Sequence, residues 1–147
     1  MIRMAIADKG LWRIRNVVAT ADLGALRAAL EAERVEALVL HGDGVTDEAG
    51  LMVRAHRDLP QPEGRAVPDG WTPLADNLWE RLQLAPGDEF ALVWEDSHVL
   101  LGANLAAFLD AVDAIAGLAR LLYTPRPGSR GQKTLYLFLV GEGVGYP

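Results

Sequence analysis

Asp76, Trp79 and Glu80 bring two carboxylates and a large aromatic ring close together in the sequence. Asp76 and Glu80 are four residues apart, so a helix would place them on one face, where like charges destabilise it by roughly 0.2–0.5 kcal/mol. Trp79 falls on their side of that helix and not on its leucine side. We interpret the three residues as an acidic recognition face with an aromatic anchor for a basic partner. The structural alternative is that Trp79 packs under the preceding proline-rich loop and the carboxylates are only solvated.

A glycine motif after an apolar segment is incomplete as a cofactor or hydrolase motif. Gly42-Asp43-Gly44 would need a third glycine at position 47 to form a dinucleotide-binding fingerprint, and Asp47 would repel a pyrophosphate there. The same segment is similar to the oxyanion-hole motif of some esterases, but no serine lies in a G-x-S-x-G elbow. We therefore interpret the glycines as a turn.

The remaining polar residues do not predict an enzyme. The chain has no cysteine, which excludes thiol nucleophiles and Cys-ligated zinc. Its histidines are too scattered for a metal-ligand spacing: His41, His56 and His98. Catalysis by a pair of carboxylates stays open, although nothing marks one pair as acid and base. We expect no catalytic residue, no metal and no cofactor.

The negative charge is concentrated in one part of the chain. The 147 residues include 14 Lys plus Arg and 20 Asp plus Glu, for a formal net charge of -6. Between Asp76 and Ala119 there are eight acidic residues and one basic residue. This balance argues against nucleic-acid binding, which requires clustered cations. A short basic loop near the C-terminus is predicted to be solvated, and its cations are Arg126, Arg130 and Lys133.

Length and hydropathy indicate one domain over residues 1–147 that does not cross a membrane. The longest apolar segment, Leu105 to Leu122, carries Asp110, Asp113 and Arg120, so we predict a surface helix there. The first residues lack the long apolar region of a secretory signal, and we expect a cytoplasmic protein.

Three short apolar segments are predicted to be buried strands: Val35 to Leu40, Phe90 to Trp94 and Thr134 to Val140. Helical patterns separate them, which predicts a parallel sheet with helices packed on it, an α/β fold. An extended segment over roughly Leu11 to Val18 and a helix capped by Thr20 precede the first of these strands.

The helices between the strands have recognisable starts. Thr46 is predicted to cap one helix, Thr72 followed by Pro73 to begin the helix of the acidic face, and Asn104 to cap the long helix. A proline- and glycine-rich loop from Leu59 to Trp71 precedes the acidic helix. The predicted apolar stripe of the long helix comprises Leu105, Phe108, Leu109, Val112, Ile115 and Ala119.

From about Val35 to Val140 the chain resembles the barstar family of intracellular ribonuclease inhibitors. The segments that carry the resemblance are Leu40-His-Gly42, Leu59-Pro60, Asp76-Asn-Leu-Trp79-Glu80-Arg-Leu82 and Ala91-Leu-Val-Trp94-Glu95, with the long helix and the last strand after them. Gly10-Leu11-Trp12-Arg13 and Gly141-Glu-Gly143 are similar to longer barstar-like proteins of bacteria. The resemblance implies a three-stranded parallel sheet packed by helices, formed by residues 35–140, with residues 1–34 as a strand–helix extension.

The resemblance also implies a function: family members block the active site of a ribonuclease with an acidic helix and the loop before it. Asp76 and Glu80 fall on the two acidic positions of that helix, and Trp79 on the aromatic position between them. Trp71 would add apolar contact, and Asp113 of the long helix, or Asp110, a further carboxylate. The expected partner is a basic ribonuclease or toxin, bound by a monomeric inhibitor or immunity protein.

Two departures from the family pattern define the alternative. Thr72-Pro73-Leu74 stands where the family has glycine, any residue and asparagine, and the preceding loop is longer and contains Arg65. The alternative is therefore a barstar-fold interaction module that no longer recognises a ribonuclease. An enzyme using clustered acids is the least supported possibility.

Overall fold

The computed structural model describes residues 13–14, 17–124, 127 and 131–147. Its strands form one five-stranded sheet. The strands are β1 (Arg13–Ile14), β2 (Val17–Thr20), β3 (Glu36–His41), β4 (Glu89–Glu95) and β5 (Thr134–Val140). The helices are α1 (Leu23–Ala32), α2 (Glu48–Asp58), α3 (Trp71–Leu84), α4 (His98–Ala103) and α5 (Leu105–Tyr123). The segment Gly10 to Trp12 and the cations Arg126 and Arg130 lie outside the described residues.

The strand order is β1-β2-β5-β4-β3. Strands β3, β4 and β5 are parallel neighbours, as predicted. The expectation of three strands is too small, because β2 also pairs in parallel with β5, with Val17 opposite Leu137. Strand β1 then pairs antiparallel with β2. The fold is therefore α/β with four parallel strands, and β2 covers the edge that β5 would otherwise expose.

Both faces of the sheet are buried. On one face, α2, α3 and α5 pack over inward side chains such as Leu40, Trp94 and Leu137. On the other face, Leu26 and Leu30 of α1 pack against strand residues that include Val18, Val93 and Phe138. Burial on two faces explains why the central strands are almost continuously apolar. The described part of the N-terminal extension thus supplies two strands, β1 and β2, and the helix that covers the second face.

Two helix starts differ from the prediction because aspartate, and not the neighbouring threonine, provides the cap. The Asp22 carboxylate accepts a hydrogen bond from the backbone N–H of Ala25 at 2.9 Å, whereas Thr20 Oγ1 accepts from the N–H of Asp22. In the same way Asp47, one residue after Thr46, accepts from a backbone N–H at the start of α2. Both residue types cap helices well, so the sequence pattern does not choose between them.

Of the other two predicted helix caps, one is confirmed and one is wrong. Asn104 caps α5 as predicted, accepting from the N–H of Ala107 at 3.0 Å. Helix α3 begins at Trp71, with Gly70 as its N-cap and no side-chain capping bond, so Thr72 lies inside the helix and not at its cap. Pro73 is tolerated in this first turn because the N–H groups there have no partner within the helix.

The buried stripe of α5 is rotated about the helix axis relative to the prediction, and only Phe108 and Ile115 belong to both. Leu105 and Leu109 are 56% and 54% exposed. The buried positions are Ala107, Phe108, Ala111, Ile115, Leu118 and Leu122. A helix packed on one sheet buries only one side, and these two leucines fall on the other.

Lys133 is buried, which corrects the prediction of a solvated basic loop at this residue. It is 3% exposed, and its Nζ donates to the backbone carbonyls of Ala85 and Gly87. The ammonium group also lies 5.5 Å from the centre of the Phe90 ring. Lys133 therefore joins the turn after α3 to the start of β5.

Among the described residues, no helix combines the length and the apolar character needed to span a membrane.

Candidate functional site

Helix α3 has a buried side and an acidic side. Leu74, Leu78 and Leu82 are each 2% exposed and pack into the core. Asp76 and Glu80 are exposed on the opposite side, one turn apart. The structure therefore brings the two predicted carboxylates together on one solvent-facing ridge, held in place by a leucine core beneath it.

The two tryptophans of α3 lie between the ridge and the core. Trp71 and Trp79 are partly buried and pack against the main core cluster. Their indole N–H groups are buried and have no hydrogen-bond partner among the described residues. Trp79 is thus held by the core on part of its surface, and only the rest of the ring is open to solvent.

Arg65 reaches from the loop between α2 and α3 to the acidic ridge. Its Nη2 lies 3.1 Å from Glu80 Oε2, and its Nη1 donates to Asn77 Oδ1 at 3.1 Å. Asn77 in turn donates to Gln61 Oε1 at 3.3 Å. The ridge is therefore asymmetric: Glu80 has a cationic partner, whereas Asp76 forms no ion pair with any described residue.

Helix α5 packs beside α3 and carries further exposed carboxylates. Asp110 and Asp113 are both exposed on α5, on the side where Leu105 and Leu109 also face solvent. The predicted site residues therefore occupy two neighbouring helices, with Asp76, Glu80 and Trp79 on α3 and Asp113 on α5.

A second polar cluster, which the sequence analysis missed, lies at the carboxyl ends of β3 and β4. Asp58 Oδ2 accepts from the backbone N–H of His41 at 2.9 Å and lies 3.0 Å from His41 Nδ1. His41 Nε2 is 3.9 Å from Glu95 Oε2, and Arg27 Nη2 pairs with Glu95 Oε1 at 2.6 Å. The cluster links both strands to α1 and α2. Polar residues often converge at the carboxyl ends of parallel strands. This position was the sequence signal that could have identified the cluster.

The Asp58 carboxyl is held ionised in this cluster. Burial alone would raise its pKa, but hydrogen bonds from the Arg57 guanidinium and from His41 outweigh that effect and lower the pKa below its ordinary value. In the described part of the chain, His41 contacts carboxylates and an arginine but no hydroxyl group. The arrangement fastens elements together and does not assemble a nucleophile with a base.

Ser97, next to this cluster in sequence, is occupied by structural contacts. It is 0% exposed, and its hydroxyl lies 2.8 Å from Tyr146 Oη and 3.1 Å from the carbonyl of Val140. Burial raises the pKa of Tyr146, while the hydrogen bond with Ser97 acts against that rise. Ser97 and Tyr146 therefore fix the C-terminal segment to β4 and β5. In the ranges that the structure describes, no three His, Cys, Asp or Glu side chains are arranged to hold a metal ion.

Comparisons with protein-family models, with curated proteins and with solved structures found no match.

Proposed function

We propose that this protein is a barstar-like inhibitor that binds a basic ribonuclease and blocks its active site with α3. The observation that carries the proposal is the exposed pair Asp76 and Glu80 on a helix whose other side is core. Their carboxylates would stand where RNA phosphates bind and would pair with the arginine, lysine and histidine side chains that hold the substrate.

The packing of α3 supports this role. Its buried leucines and the ring surfaces of Trp71 and Trp79 fix the helix against the core, so the carboxylates are presented without a large loss of conformational entropy on binding. The open parts of the two rings would supply apolar contact around the charge pairs.

The charge distribution supports a basic partner. Asp110 and Asp113 are further exposed carboxylates on the helix that packs beside α3, and the chain carries a net charge of -6. Such a surface accelerates the encounter with a positively charged enzyme.

The order of elements from β3 to β5 supports the proposal, although the short helix α4 is an addition to the order on which the resemblance rests. A strand, two helices, a strand, two more helices and a final strand follow one another, with all three strands parallel. In the proposal, β2 and α1 are an addition that stabilises the far side of the sheet and leaves α3 free to bind.

An interaction module for a partner other than a ribonuclease is a second candidate, favoured by one observation. Arg65 forms an ion pair with Glu80, so one of the two ridge carboxylates already has a cationic partner within the chain. A surface with a single free carboxylate at Asp76 would suit a less strongly basic partner.

The proposal is tested by titrating barnase with the protein and following RNA hydrolysis. We expect activity to fall linearly and to reach its minimum at a 1:1 ratio. A complex that forms without loss of hydrolysis would favour the interaction module. Full hydrolysis with no complex at micromolar protein would contradict inhibition of this class of ribonuclease and would favour the interaction module.

A further inference from the structure

We propose that Arg65 is an internal competitor for the acidic ridge of α3. It holds Glu80 until a basic partner displaces it, and so sets how strongly cationic that partner must be. This inference rests on the proposed function, because it concerns the same surface.

Arg65 makes on Glu80 the kind of contact that an arginine of a partner would make. Its guanidinium group presents two nitrogens to two acceptors, Nη2 to Glu80 and Nη1 to Asn77, each at 3.1 Å. Arginine and carboxylate pair well across protein interfaces, where two nitrogens often bind one carboxylate, whereas Arg65 gives Glu80 a single nitrogen. Arg65 therefore occupies the position that an incoming guanidinium would take on Glu80.

The position of Arg65 is fixed from the buried side. Asn77 is 6% exposed and donates to Gln61, whose own amide donates to the carbonyl of Ala55 at 3.4 Å. This chain of contacts leads from α3 through the loop to α2. Arg65 is thus anchored through Asn77, while its contact with Glu80 is the outer end of the chain.

The contact with Glu80 is open to competition. The side chains of Arg65 and Glu80 are 49% and 47% exposed, and exposed ion pairs contribute little to stability. A cation in a desolvated interface interacts more strongly with a carboxylate than a solvated one does. A partner with a concentrated positive site can therefore replace Arg65, whereas a weakly basic protein cannot.

The first test compares wild type with Arg65→Gln for binding to barnase. Removing the competitor should tighten binding about two- to fivefold, which is what an exposed ion pair is worth. The gain should shrink as salt rises, because salt also weakens the exposed Arg65–Glu80 pair that the partner must break. Arg81→Gln is the matched control, because Arg81 is an exposed cation of the same helix that makes no ion pair with a described residue. That variant should change binding less than twofold.

A double-mutant cycle separates competition at Glu80 from any other effect of Arg65. In a Glu80→Gln background, the gain from Arg65→Gln should disappear, because there is no carboxylate left to compete for. A gain that persists in that background would overturn the inference. Binding that is unchanged or weaker in Arg65→Gln alone would also overturn it.

Asp76→Ala distinguishes failure of this inference from failure of the proposed function. If Asp76→Ala binds barnase as tightly as wild type, the acidic ridge is not the binding surface and the proposed function is wrong. If Asp76→Ala weakens binding but Arg65→Gln brings no gain, only the role of Arg65 is wrong. If Arg65→Gln binds barnase and wild type does not, Arg65 prevents binding in the wild-type protein. If neither protein binds barnase, both proposals are contradicted.

Discussion

Glu80 is subject to two opposing electrostatic effects on stability. Replacement by alanine removes its pair with Arg65, worth roughly 0.2–1 kcal/mol at an exposed site, and relieves the repulsion by Asp76, roughly 0.2–0.5 kcal/mol. We expect the free energy of unfolding of Glu80→Ala to stay within about 1 kcal/mol of wild type in urea titrations. The repulsion by Asp76 alone would give no change or a slight gain, and the Arg65 contact shifts the expectation toward a small loss. A loss well above 2 kcal/mol would show that Glu80 belongs to a structural network.

Asp58 should make stability depend on acid pH. Its pKa is lowered in the folded protein, so its contribution to stability is fully present above the ordinary pKa of about 3.9 and is lost as pH falls through the lower folded value. We expect Asp58→Asn to be less stable than wild type at pH 7 and the difference to narrow below about pH 4. Urea unfolding across pH 2.5–7 (roughly the span of the carboxyl titration) measures this, and an equal difference at every pH would contradict it.

The sequence could not predict contacts of individual side chains with residues that are far away along the chain. Arg65 meets Glu80 across 15 residues, and Lys133 meets Ala85 across 48. Hydrophobic spacing carries no information about such pairs, because each cation looks locally like any solvated loop residue. The acidic ridge itself was predictable, since Asp76 and Glu80 need only a helix to come together.

The strands and helices were largely predictable from periodicity. Strand β5 has the predicted limits, Thr134 to Val140, and β3 and β4 differ from prediction by one residue at each end. The continuous apolar character of β4 and β5 agrees with their burial on both faces. Strand β3 lies at the edge of the sheet and is buried only in part, with Leu38 and Leu40 buried but Glu36 and Ala37 exposed. The pairing of β2 with β5 was not predictable, since a strand of four residues with nothing but local pattern does not specify its neighbour.

The loop after β3 depends on a close approach at Gly42. A Cβ atom there would lie 2.5 Å from the carbonyl oxygen of Glu95 and 2.7 Å from Trp94 Nε1. Since backbone and a buried ring cannot move aside freely, Gly42→Ala should lower the free energy of unfolding by ~1–3 kcal/mol.

Gly117 provides the matched control for Gly42. It lies within α5, and a Cβ atom there would meet nothing within 4 Å. Gly117→Ala should therefore stabilise the protein by about 0.5–1 kcal/mol through helix propensity. Thermal and urea unfolding of both variants should show opposite shifts, and a Gly42→Ala protein that is as stable as wild type or more stable would contradict the packing described at Gly42.

At the scale of the whole molecule, helix α1 and the acidic helices lie on opposite faces of the sheet. Helix α1 covers one face of the sheet, while the exposed carboxylates of α3 and α5 lie on helices of the other face. A long-range field from this acidic side should steer a basic partner, and salt should screen it over ~8 Å at physiological ionic strength. Association should therefore slow steeply as salt rises, and dissociation should respond less.

Stopped-flow association and chase dissociation of Asp76→Ala with barnase across a salt series test the central claim most directly. We expect faster dissociation and a dissociation constant raised by roughly 30-fold or more, because an enzyme cation is left desolvated and unpaired. That magnitude comes from the barnase–barstar complex itself. Glu31→Ala, which removes an exposed carboxylate from α1 on the far face, should bind like wild type. Association that is independent of salt, or an Asp76→Ala protein that binds as tightly as wild type, would contradict recognition through the acidic ridge.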